Sequence, residues 1–406
     1  MSAALATSAG IPAHVPPELV QQFPCERGAT TTGLPHAELQ RLNDGPEVFY
    51  SPTTPTGGGA WVFRRVEHCR EIALDTDHFS TGEFAPFGKM TGGDWRMIPI
   101  EVDPPFHAAY RNLLNPLFNP KAIAALDDRI RVYAHDYLAG FRDRGHCEFM
   151  KEFAFEFPIR IFLELMGLPR EKTAQFLKWE RGLIYPTNEE EVLSATRAVV
   201  AYLRSEIAAR RAAPGDDFIG HVLRAEIEGR QLDDNEALGI CFTLFTGGLD
   251  TVSAHLGHMV RHLAEHADQQ AYLRANPDKI PDAVEELMRA YGSTNTLRVC
   301  VKERDLGGVT VKPGDRVMLS APLAGRDPSE YPEPQEIRFD RHPRHSSFGY
   351  GPHLCLGIHL ARRELRIALE AILEMLPPFR IAPDAKIVSD ICGMLQPRSV
   401  PLVWDA

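Results

Sequence analysis

One of the seven cysteines in this 406-residue chain sits in a setting of its own. Cys355 lies in the run Phe348-Gly-Tyr-Gly-Pro-His-Leu-Cys-Leu-Gly357, with an amphipathic stretch directly after it. Glycines permit tight turns and close backbone approach to a flat ligand. A cysteine at a helix start meets unpaired N–H groups and the positive end of the helix dipole, and both favour the thiolate. A thiolate so placed is a strong axial donor to iron, tuned by hydrogen bonds to its sulfur. Taken alone, the same cysteine also reads as a small residue packed under a turn. A zinc site from His345, His353, Cys355 and His359 fits none of the usual ligand spacings. Gly349-x-Gly351 lacks the third glycine and the strand–helix unit of a dinucleotide loop.

A second group is Thr246-Gly-Gly-Leu-Asp-Thr251. Two glycines inside a helix cost roughly 1 kcal/mol each relative to alanine, so they need a reason. Close approach of a flat cofactor is one. Helix–helix contact through the glycines is another, with the threonine bonding back to a carbonyl. Asp250 and Thr251 put an acid and a hydroxyl beside the gap, the groups a proton relay to dioxygen requires. A third group is Glu286-Leu-Met-Arg289, whose ends share a helix face and can pair. By itself this pair reads as a common surface salt bridge.

The elements that must carry these groups are mostly helical. Residues 121–141 have apolar side chains at helical spacing, with Gly145 as a stop, and 190–212 form another helix ended by Pro214-Gly215. The longest candidate is 233–266, apolar nearly all round over 240–249, which marks a helix buried in a large core. A shorter helix over 281–291 follows, then strand and hairpin over 297–320, with Pro313-Gly314 suited to a type II turn. Residues 60–66 read as a strand, 326–343 as irregular and 357–376 as a final long helix stopped by Pro377-Pro378. The first 45 residues read as an irregular wrap. The expectation is a single domain over 1–406, mainly α with a minor β part.

Net charge is −11, with 44% apolar and 24% charged residues. This balance argues against a nucleic-acid binder, which needs a net basic face. Scattered cysteines without a C-x-x-C pair encode neither an iron–sulfur cluster nor a disulfide framework. The absence of a basic n-region with an apolar h-region, and of any run of eighteen apolar residues, leads us to expect no membrane span and a cytoplasmic setting.

The pattern Phe348-x-x-Gly351-x-His353-x-Cys355-x-Gly357 resembles the cysteine-ligand loop of the cytochrome P-450 superfamily. The resemblance extends from about residue 45 to the end. It implies the P-450 fold with a long central helix over haem b, Cys355 as iron ligand, and Gly247, Phe348 and Gly357 against the haem. It also implies a proton relay of Asp250 and Thr251. In the family, an E-x-x-R pair locks the core behind the haem with a further arginine, for which Arg338 is the best candidate and Arg341 a substitute. Asp103-Pro-Pro-x-His107-x-x-x-Arg111 resembles the segment that binds a haem propionate. Arg298 is similar to the second propionate arginine, and His353 completes the set.

Within the superfamily the chain is similar to the bacterial camphor-hydroxylase family, through Phe157-Pro-Ile-Arg-Ile-Phe162, Gly247-Gly-Leu-Asp-Thr-Val252, His359-Leu-Ala-Arg-Arg-Glu364 and Pro401-Leu-Val-Trp-Asp405. That resemblance implies a monooxygenase using O2, fed electrons by a [2Fe-2S] ferredoxin and its reductase, with Arg70, Arg111 and Arg362 on the docking face. It places Trp95, Thr243, Thr246, Thr294 and Met394 around the substrate. Trp95 stands where those relatives anchor a ketone through a tyrosine, and an indole offers only an N–H donor. The expected substrate is therefore a small apolar terpenoid-like molecule, such as a monoterpenoid or norisoprenoid ketone, and not necessarily camphor. A peroxide-driven enzyme would not need Asp250 and Thr251, and a haem-based sensor or electron carrier would need neither the relay nor a roomy apolar pocket.

Overall fold

The computed structural model describes residues 10–25, 28–55, 57–83 and 86–405. The architecture is mainly helical, with a five-stranded sheet and smaller β pieces. The sheet runs Val48–Ser51, Ala60–Phe63, Arg316–Ser320, Asn295–Cys300, Phe79–Ser80; Ala60–Phe63 pairs parallel with Arg316–Ser320 and the other neighbouring strands pair antiparallel. The expected turn at Pro313-Gly314 forms: Gly314 has φ 90° and Asp315 N–H donates to the Lys312 carbonyl at 2.9 Å.

The 233–266 segment is two helices, Asp234–Gly248 and Asp250–Glu265, meeting at Leu249. Its start is fixed by a capping box: the Asp233 carboxylate accepts from the Glu236 backbone N–H while Glu236 accepts from the Asp233 N–H. Its break has a local cause. Two glycines precede Leu249, and the Thr251 and Ser253 hydroxyls bond back to the Gly247 and Leu249 carbonyls at 3.1 and 3.0 Å. The stretch is apolar enough to cross a bilayer, with hydropathy 1.3, yet 67% of that window is buried inside the molecule, as in a core helix.

Two apolar clusters flank this element. One gathers Phe149, Phe153 and Phe157 with Leu256, Met259 and the helix Ile358–Met375; the other gathers Phe176, Trp179, Phe242 and Phe245. Gly239 sets the approach of the loop before the Pro-Pro segment, because a Cβ there would meet the Arg96 carbonyl oxygen at 2.0 Å.

Three expectations need correction. Residues 121–141 split into Pro120–Ala124 and Asp127–Ala139. The first 45 residues, of which 1–9, 26 and 27 lie outside the described set, are not simply irregular. They include the helix Pro35–Asn43 and the strand Thr30–Thr32, which pairs antiparallel with Val388–Asp390. The 60–66 strand ends at Phe63.

Candidate active site

Cys355 lies between a short turn at Gly351–His353 and the helix Ile358–Met375. Its N–H donates to the Phe348 carbonyl at 2.9 Å, closing the loop. Gly351 has φ 67°, and a Cβ there would meet the Ala73 carbonyl oxygen at 2.5 Å, so only glycine fits this crossing. Burial pushes the Cys355 thiol up, while the Gly357 backbone N–H, Arg111 and Arg362 oppose that rise. Those three are the groups that would favour a thiolate once a metal supplies positive charge.

Cys355, Phe348 and Gly357 form part of the wall of a cavity of about 480 Å³. The central helices contribute Thr243, Leu244, Gly247, Gly248 and Thr251 to the same cavity, and the loop before the Pro-Pro segment contributes Met97 and Ile100. A Cβ on Gly247 would meet nothing within 4 Å, and one on Gly248 only the Phe162 ring at 4.0 Å. Gly247 therefore faces open space, while Gly248 has the Phe162 ring of the helix Glu156–Met166 beside it.

His107, Arg111, Arg298 and His353 meet on the cavity wall. The His107 and His353 rings lie 4.3 Å apart, and Arg111 donates to the Leu354 carbonyl at 2.8 Å. Burial, with the neighbouring cations behind it, lowers His353 to about 3, and burial with Arg111 lowers His107 to about 4. Burial lowers Arg298 to about 10. Asp103 faces this group, but it already accepts from the Ser80 hydroxyl and from the Thr81 N–H at 2.8 Å. His107 Nε2 is buried without a partner. Four cation-capable groups set against one engaged carboxylate are a site built for an anion.

The comparisons with known proteins agree with this arrangement. A family model described as Cytochrome P450 matches residues 280–386. The chain is 40% identical over 404 residues to Probable cytochrome P450 127A1 of Sinorhizobium fredii, covering 97% of both chains. The chain belongs to the cytochrome P450 family. It is also 31% identical to Mycinamicin IV hydroxylase/epoxidase of Micromonospora griseorubida, over 93% of this chain and 96% of that one. The crystal structure of cytochrome P450 CYP101C1 superposes with a TM-score of 0.87 at 33% identity, covering 98% of this chain and 100% of the other.

This P450 is thus a monooxygenase whose cofactor is haem b held through a cysteine thiolate. The residues present fit that group: the Cys355 thiol in the wall of a mainly apolar cavity, whose other lining cysteine, Cys69, is buried and spent on the Phe63 carbonyl at 3.3 Å, glycines opening the helix to it, and two arginines with two histidines as donors for two carboxylates. Among the described residues no three His, Cys, Asp or Glu side chains could hold a metal together.

The structure does not bring every expected residue to the cavity. Thr251 reaches it, but Asp250 does not. The Asp250 carboxylate is fully buried on the other side, accepting from Tyr185 Oη and Gln396 Nε2, both at 2.7 Å. Of the five expected substrate contacts, Thr243 and Thr294 line the cavity while Trp95, Thr246 and Met394 do not. The Trp95 indole is turned onto Phe242, ring centroids 4.8 Å apart, and donates to Thr91 Oγ1 at 3.3 Å. Met97, two residues on, takes the cavity position. Thr246 Oγ1 bonds back to the Phe242 carbonyl at 3.1 Å. Met394 is buried and forms a bridge with Thr294.

Glu286 and Arg289 are fully buried, and two hydrogen bonds of 2.8 Å join them. Arg289 also donates to the Gly325 and Pro334 carbonyls. The third arginine is Arg341, whose Nε donates to Glu286 Oε1 at 3.1 Å. Arg338 gives that oxygen only its backbone N–H, at 3.0 Å, and its guanidinium turns outward to Glu333. A turn with the Arg341 N–H on the Arg338 carbonyl reverses the chain there, so the later side chain enters.

Arg70 and Arg362 lie over the Tyr350 and Phe348 rings of the cysteine loop at 5.2 and 4.9 Å. Each has an internal acid: Glu330 at 3.4 Å for Arg70 and Glu285 at 2.6 Å for Arg362. Sequence reading missed two acids in the cavity wall. Burial raises Glu101 to about 7. Glu364 is buried with Oε2 unpartnered, and burial holds its carboxyl far above the usual range. The signal for Glu364 was an acid on the apolar face of the 357–376 helix, at helical spacing from Ala361 and Ala368.

Proposed function

We propose that this P450 inserts one oxygen atom of O2 into a C–H bond of a small, largely apolar, terpenoid-like substrate. A monoterpenoid or norisoprenoid ketone is the class in view, with electrons from a [2Fe-2S] ferredoxin and its reductase in the cytoplasm. The observation that carries this reading is Thr251, a hydroxyl one residue from a buried acid, facing a mainly apolar cavity that also holds Cys355.

Haem, when bound, supplies the binding and reductive activation of dioxygen. Cys355 would hold its iron, and His107, Arg111, Arg298 and His353 would hold its carboxylates through charge-assisted hydrogen bonds. Phe348, Gly247 and Gly357 bound the slot. The Thr251 hydroxyl passes protons at its Oγ, and Asp250 supplies them once Tyr185 and Gln396 release it. The Thr243 and Thr294 hydroxyls are the polar points for one carbonyl. Glu286, Arg289 and Arg341 fix the irregular segment behind the cysteine loop. Arg70 and Arg362 flank that loop and suit an acidic electron donor.

The test is a panel of terpenoid ketones against the ferric protein, then turnover with NADH, reductase and ferredoxin compared with turnover on peroxide. The reading expects ketones of this size to move iron to high spin and product to require the redox partners. Charge reversal at Arg70 and Arg362 should raise the apparent KM for ferredoxin and flatten its salt dependence. Product formed as fast with peroxide alone, or no spin change with any ketone, would overturn it.

A further inference from the structure

Asp250 has an acidic neighbour that the relay as read so far does not use. Glu180, on the helix Thr173–Ile184, is buried beside the Asp250 carboxyl, near enough for the two acids to act on each other. Asp250 Oδ2 accepts from Tyr185 Oη and Oδ1 from Gln396 Nε2, each at 2.7 Å. The Tyr185 oxygen also lies 2.8 Å from Gln396 Oε1, so one tyrosine and one glutamine fix the acid from two sides. Two neighbouring carboxyls buried away from water do not both ionise without a cation between them.

The charged groups around the pair do not supply that cation. Arg181, next to Glu180 in sequence, is exposed. Arg398, the other cation near Tyr185, is bound to Asp390 at 2.5 Å. Asp390 itself adds negative charge near Asp250. One proton must therefore reside in the pair.

We propose that Glu180 carries this proton in the resting protein and hands it to Asp250, which makes Glu180 the residue that reloads the relay. The inference rests on the Asp250–Thr251 reading above. Burial and the Asp250 charge hold the Glu180 carboxyl well above the usual range; burial also raises Asp250, but the hydrogen bonds it accepts from Tyr185 and Gln396 oppose that rise, so the proton belongs on Glu180. The step balances simply. The Glu180 O–H proton moves to the Asp250 carboxylate, Asp250 passes that proton to the Thr251 side and returns to its ionised form, and a proton from solvent water reloads Glu180. No electrons change place. Glu180 acts through Asp250 and is a positioning residue.

Two measurements on the haem-loaded protein test it. In infrared difference spectra, the ferric wild type should show a protonated-carboxyl band at neutral pH that shifts in D2O. The band should vanish in Glu180→Gln, move in Glu180→Asp and respond to Tyr185→Phe. In NADH-driven oxygen consumption through a [2Fe-2S] ferredoxin and reductase, Glu180→Gln should slow at least roughly tenfold, the lower range for a lost proton donor. Its solvent isotope effect should rise, and Glu180→Asp should recover much of the rate. No band assignable to Glu180 would overturn the proposal. So would a Glu180→Gln rate and isotope effect equal to wild type while Asp250→Asn is slow, which leaves the relay standing. A wild-type rate in Asp250→Asn together with wild-type product per NADH in Thr251→Ala would instead remove the relay, and with it the proposal.

Discussion

Arg289, Arg341 and Arg338 all touch Glu286, yet their substitutions should differ in size. Arg289 is fully buried and holds both Glu286 oxygens, so Arg289→Ala leaves a buried carboxylate without its main partner, at about 3–5 kcal/mol. Arg341→Ala removes a charged hydrogen bond to Glu286 together with those to the Pro332, Glu333 and Glu336 carbonyls, and should cost at least about 1.5–3 kcal/mol. Arg338→Ala keeps its backbone N–H and loses only two exposed pairs, with Glu333 and Asp340, within about 0.5 kcal/mol. Denaturant unfolding of the three variants checks the order, and an Arg338→Ala loss as large as that of Arg341→Ala would contradict it. Thr251→Ala should leave oxygen consumption running while diverting it to peroxide, with product per NADH falling roughly tenfold or more. At this scale the Glu286–Arg289 pair was legible because positions three apart share a helix face. The third arginine was not, because an irregular stretch carries no period from which to read which side chain points inward. Asp250 failed to reach the cavity for a related reason: spacing gives neighbours along a helix, not which carboxylate a tyrosine 65 residues away will capture.

The central helix shows the same division for elements. Its N-terminus was written in the capping residues and its burial in the all-round apolar run over 240–249. The break at Leu249 was signalled only as a cost, two glycines needing a reason. The structure supplies the reason, and it separates two glycines that look alike in sequence. Gly247→Ala meets open space, so it should keep or slightly raise thermal stability, by up to about 1 kcal/mol of helix propensity. It should also weaken the spin shift by substrate, because its methyl group enters the cavity. Gly239→Ala would put a Cβ against the Arg96 carbonyl oxygen, force the backbone apart and cost about 1–3 kcal/mol. Thermal melts of the two variants are the check, and equal destabilisation would contradict the account. Trp95 follows from this contact. The loop lies so close on Gly239 that the indole packs on Phe242 and Met97 is left to face the cavity.

For the molecule as a whole, the α-rich class and the order of elements were readable from periodicity, while the non-local pairings were not. Thr30–Thr32 pairs with Val388–Asp390, a union that no local propensity encodes. A second property of the whole is acid sensitivity. Burial lowers His255 and His258 to about 3 and His262 to about 4, so all three fold neutral. The unfolded chain binds their protons near pH 6.5 and the folded one does not. Stability is therefore complete above about pH 6.5 and is lost as pH falls toward 4, by on the order of 2 kcal/mol per histidine at pH 5. Urea midpoints at pH 7 and pH 5 measure this, and equal midpoints would refute it.

The central claim is that Cys355 holds haem iron through its sulfur as the working site of a monooxygenase. Its most direct test is the difference spectrum of the reduced protein with carbon monoxide, for wild type and Cys355→Ser. A strongly red-shifted Soret band in the wild type, absent from the variant, is the predicted result. A band at the position typical of histidine-ligated haem in undamaged wild-type protein would contradict the ligand and the proton relay built upon it.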